Sequence, residues 1–135
     1  MNGRPAPQHP LARPLRACAR GIYPDEAAIE LLICHNTFLR RGDFTRHITT
    51  GEHDHRGNGA ARAAIDWAAA TTALDAGAPP CSGGERRIFR LAASLAAGLP
   101  VNLRDALTGL DEHNLTLAIS AFIHASGQRP PHPEP

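Results

Sequence analysis

The sequence contains no lysine. All 14 of its basic side chains are arginine, which reads as the codon usage of a very GC-rich genome and not as a function. The 13 acidic residues almost balance them, for a formal net charge of +1. That excludes a strong overall bias toward nucleic acid or an anionic membrane. Aromatics are only 4% of the chain, and much of the 42% apolar share is alanine. An alanine-rich core releases little hydrophobic free energy per residue but lets helix backbones approach closely. The three cysteines, Cys18, Cys34 and Cys81, are odd in number, widely spaced and without a CxxC pair. This excludes a disulfide framework and fits reduced thiols in a cytoplasm. No apolar run approaches the roughly 18 residues of a membrane-spanning helix, and the first residues lack the apolar stretch of a signal peptide. Period-two alternation, internal repeats and heptads are also missing.

At 135 residues the chain fits one domain. The segment 25–41, DEAAIELLICHNTFLRR, is its most apolar stretch. On a helix, Ala28, Leu31, Leu32, Cys34, Phe38 and Leu39 share a wide face with His35 near its middle, and Ile29 and Ile33 lie opposite. A helix apolar on two sides is expected at the centre of the fold. Tyr23-Pro24-Asp25-Glu26 starts it. A short helix is expected before it at Leu15–Arg20, and another after it within FTRHIT, with Phe44 and Ile48 inward. The polar, glycine-rich segment 50–59 reads as a loop. Asn58 is placed as the cap of a helix over 59–76, with Trp67 on its inner stripe.

Ser82-Gly83-Gly84-Glu85 matches a capping box for a helix reaching about Ala97, ended by Gly98. Asn102 caps a short helix, Leu103–Thr108. Asp111 caps the last, with Leu115, Ala118, Ile119, Phe122 and Ala125 as its core stripe. Leu117 and Ala121 fall outside that stripe and could form an association face or simply pack against the first helix. The expected architecture is a single all-α bundle of four to five main helices with short extra helices and no sheet. Residues 1–14 form a mobile basic arm rich in Pro and Arg, 15–127 the helical domain, and 128–135 a disordered Pro-rich tail.

Several groups of residues have chemistry to offer. His35, His47, His53 and His55 could hold a divalent transition metal, although their spacing matches no zinc signature and a polar surface loop explains the last two. His35 alone reads as a buried neutral histidine with one hydrogen-bond partner. Gly83 and Gly84, with Arg86, Arg87 and neighbouring Arg90, could bind an anion. The charge of Glu85 at the same helix end and the missing P-loop lysine weigh against that. The three helices of 82–127 are similar to a helix-turn-helix module. In that arrangement His113, Asn114, Thr116 and Ser120 would face DNA bases. Asp111 and Glu112 would then meet phosphates, and no arginine lies between Arg104 and Arg129, so nucleic acid is disfavoured.

SGGERRIFRLAASLAAG, PVNLRDALTGLD and HNLTLAI, together with ACARGIYPDEAAIELLI, resemble small helical proteins of unknown function from GC-rich actinobacteria. The resemblance spans residues 17–127. It implies a bacterial cytosolic setting and carries no activity. No motif joins a nucleophile, a base and a charge stabiliser, so the chain reads as non-enzymatic and without a cofactor. The expected role is a small interaction or regulatory module that binds another protein or itself as a homodimer.

Overall fold

A computed structural model describes residues 9–51, 61–77 and 80–128. The expected helix of the central segment is present as α2 (Tyr23–His35). It ends earlier than its apolar pattern suggests. Asn36 takes the left-handed conformation at φ 61° and its N–H closes on the Leu32 carbonyl at 3.0 Å. Phe38–Arg40 then form a separate 3₁₀ turn. Around α2 lie α1 (Ala12–Ala19), α5 (Gly83–Ala97) and α7 (Glu112–Ala125). Its two largest packing partners are α5 and α7. Ala27, Ala28, Ile29, Leu31 and Leu32 are all buried, as a helix with neighbours on both sides requires.

The expectation of no sheet fails. Ile48–Gly51 (β1) and Arg62–Ile65 (β2) pair antiparallel, with Ile48 opposite Ile65 and Gly51 opposite Arg62. The fold is therefore a mostly helical protein with a small two-stranded sheet. Alanine is the best helix former, so Ala63 and Ala64 favour a helix by intrinsic propensity. Tertiary packing overrides it. In β2, Ala63 and Ile65 are buried while Arg62 and Ala64 are exposed, and this two-residue alternation seals β2 against α1. The next helix, α4 (Trp67–Asp75), consequently starts late. Its cap is Asp66, whose carboxylate accepts from the Ala69 N–H at 3.0 Å. Asn58 lies outside the described residues. The helix expected over FTRHIT lies earlier, as the four-residue α3 (Gly42–Thr45), and Ile48 joins the strand.

The later helices follow the sequence closely. At α5 both halves of the capping box form: Glu85 N–H donates to Ser82 Oγ at 3.1 Å, and Ser82 N–H to Glu85 Oε1 at 2.8 Å. Asn102 caps α6 (Leu103–Thr108) and Asp111 caps α7. The few aromatics gather in one place. Phe89 of α5 lies 5.4 Å from Phe38, 5.5 Å from Phe44 and 5.6 Å from Trp67, measured between ring centroids. This cluster supplies bulk that the alanines cannot.

The facing of α7 departs from the expected stripe. Ala118 and Ala121 are buried, while Leu115 is 37% and Ile119 49% exposed. Leu117, expected outside the core stripe, packs against the core. The small side chains lie inward because α7 sits close on α2, where a leucine would separate the backbones. Leu117 and Ala121 are therefore no association face.

Candidate functional site

The inversion on α7 is repeated on α6. There Ala106 is buried, whereas Leu103 is 50% and Leu107 38% exposed. Each helix thus turns an i, i+4 pair of large aliphatic side chains to solvent: Leu103 and Leu107 on α6, Leu115 and Ile119 on α7. Among the described residues, packing within the chain does not cover these positions.

The four residues proposed to face DNA do not form one reading surface. His113, Thr116 and Ser120 are exposed, but Asn114 is half-buried and its amide nitrogen lies beside Gly84 of α5. Thr116 Oγ1 donates back to the Glu112 carbonyl at 2.9 Å. Leu115 and Ile119 share the outer surface with them. Exposed Asp111 and Glu112 flank the start of the helix, where phosphates would approach.

The histidines are only partly placed. His53 and His55 lie outside the described residues. Among the described residues no group of three or more His, Cys, Asp or Glu side chains converges. His35 is half-buried at the end of α2, stacked on Phe38 with 6.0 Å between centroids. Its Nδ1 is buried and, among the described residues, lacks the expected hydrogen-bond partner. Desolvation holds the imidazole below its ordinary pKa. Glu85 opposes this, His113 reinforces it, and Asp111 opposes it. Cys34 beside it is no activated nucleophile. Desolvation and then the Glu30 carboxylate push its thiol up, outweighing the opposing Arg16 charge.

Three arginines of α5 line a groove of about 430 Å³ shared with the α5–α6 connection and α6. Arg86 Nη1 donates to the Leu74 carbonyl at 2.9 Å, and Arg87 Nε to the Asp105 carbonyl at 2.9 Å. Arg90 Nη2 pairs with the Asp75 carboxylate. Gly83 lines the groove, but Gly84 does not. Glu85, expected to oppose an anion here, is turned to the Ser82 amide and is not part of the lining. Sequence spacing finds the arginines, since i, i+1 and i+4 on one helix is a local fact. It cannot find Asn102 and Asp105, which the chain brings across from the next cap.

Comparison with protein-family models, characterised proteins and solved structures finds no match for this chain. Among the described residues no helix is long and apolar enough to cross a membrane.

Proposed function

We propose that this protein is a small protein–protein interaction module that pairs with a second copy of itself through the outer side chains of α6 and α7. One observation carries the reading: both helices bury alanine and expose Leu103, Leu107, Leu115 and Ile119. Fully burying one Leu or Ile side chain is worth about 1.5–3 kcal/mol relative to leaving it in water. Partners covering these partly exposed residues recover part of that. An i, i+4 pair on a helix is also self-complementary. In an antiparallel two-fold arrangement, Leu115 of one copy meets Ile119 of the other, and the contact closes on itself. The exposed thiols of Cys18 and Cys34 fit a reducing, cytoplasmic setting.

Sedimentation equilibrium tests the reading. The purified chain is expected to show a concentration-dependent dimer, and the Leu115→Glu/Ile119→Glu double variant to remain a monomer with unchanged circular dichroism. A wild-type chain that stays monomeric at every concentration overturns the proposal.

A further inference from the structure

The groove beside α5 lies outside that contact, since none of its lining residues is Leu103, Leu107, Leu115 or Ile119. The geometry points to a binding site there for a small phosphomonoester, held by Arg86 and Arg87 with Arg90 at its edge. The first support is how the guanidinium groups are held. Arg86 and Arg87 are half-buried and each is tied by one hydrogen bond to a backbone carbonyl. A carbonyl fixes a guanidinium in place without neutralising it. Each group has five N–H donors, and one bond apiece is made among the described residues. The ordering of two long side chains has therefore largely been met before a ligand arrives.

The second support is steric. The Arg87 guanidinium lies against Gly109, where a Cβ would overlap it. Gly109 has φ −105°, a conformation open to any residue. A side chain at position 109 would therefore have to shift the Arg87 guanidinium, while the backbone itself accepts any residue.

Charge then selects the ligand class. Arg90 is already paired with Asp75, which leaves the charges of Arg86 and Arg87 without a carboxylate bonded to them among the described residues. A phosphate dianion matches two such groups, whereas a carboxylate matches one. Guanidinium forks suit phosphate oxygens geometrically as well. Asn102 and the exposed Asp105, whose carbonyl Arg87 bonds, line the same groove. Asn102 Oδ1 already accepts from the Asp105 N–H at 3.2 Å, so its amide N–H groups and the Asp105 carboxylate remain to meet hydroxyls on the esterified part.

The test is calorimetric titration of the full chain with glycerol 3-phosphate, with glycerol and sodium acetate as controls. Saturable binding of the phosphomonoester alone is expected. It should weaken roughly tenfold or more in Arg86→Ala and in Arg87→Ala, and remain unchanged in Arg13→Ala, which alters an exposed arginine of α1. Arg87→Lys should not restore it, because a point charge replaces a fork. Gly109→Ala keeps all three arginines and displaces one, so it should weaken binding while circular dichroism stays native. That variant keeps the test decisive even if an arginine deletion unfolds the chain. No saturable binding, equal binding of acetate, or binding indifferent to both Arg86→Ala and Gly109→Ala overturns the assignment. Binding of DNA without binding of the phosphomonoester overturns it too.

Discussion

His35 ends the central helix with a buried ring nitrogen that has no partner among the described residues. A buried unsatisfied polar atom costs about 1–3 kcal/mol, and an apolar group of similar shape removes that cost. His35→Phe is therefore expected to keep or raise the melting temperature, since the new ring would stack on Phe38 as the imidazole does. The variant should also change the pH dependence. An imidazole whose pKa is lowered on folding binds a proton more readily when unfolded. Its effect is absent above the ordinary value of 6.5 and destabilises as pH falls through it. Thermal melts of the wild type should fall over that window, and those of His35→Phe should be flatter. A variant clearly less stable than wild type at neutral pH would mean that Nδ1 has a partner that matters. The sequence placed this histidine on an apolar face. Whether a hydrogen-bond acceptor reached it depended on the approach of α5 and α7, which spacing along one helix does not encode.

Between elements, a polar contact ties the start of α2 to the end of α7. His124 Nε2 lies 2.8 Å from Glu26 Oε1, and the other Glu26 oxygen accepts from the Gly21 N–H at 2.7 Å. The His124 bond first, and the Gly21 amide second, hold the Glu26 carboxyl below its ordinary value of 4.5. A carboxylate lowered on folding contributes stability that is present above 4.5 and lost as pH falls through its folded value. Both side chains are about a quarter exposed, so solvent screens the pair. Glu26→Gln should lower stability at neutral pH by no more than about 1 kcal/mol and flatten the acid limb below 4.5. An unaltered acid limb would show that the tie does not form. The capping residues Ser82, Asn102 and Asp111 were legible because a cap is settled within four residues of chain. β2 was not, because Arg62-Ala63-Ala64-Ile65 is too short to display alternation and alanine favours a helix. The facing of α7 escapes the sequence pattern for a related reason. Large aliphatic residues ordinarily mark the inside, but the close approach of α2 reserves that side for Ala118 and Ala121.

For the whole molecule, alanines on the inner sides of α6 and α7 leave aliphatic bulk outside on those two helices, while three arginines of α5 line a groove formed with other residues. The two surfaces rest on different physics, and salt separates them. Association through Leu103, Leu107, Leu115 and Ile119 removes apolar area from water, which screening does not weaken. A roughly tenfold rise in sodium chloride should leave the dimer constant unchanged or strengthen it. Calorimetric dilution at several temperatures should show a negative heat-capacity change on association. Binding in the arginine groove should weaken over the same salt range, because its attraction is between charges. A dimer that dissociates as salt rises would assign the contact to charged residues instead. Leu115 and Ile119 would then be exposed for a reason other than pairing.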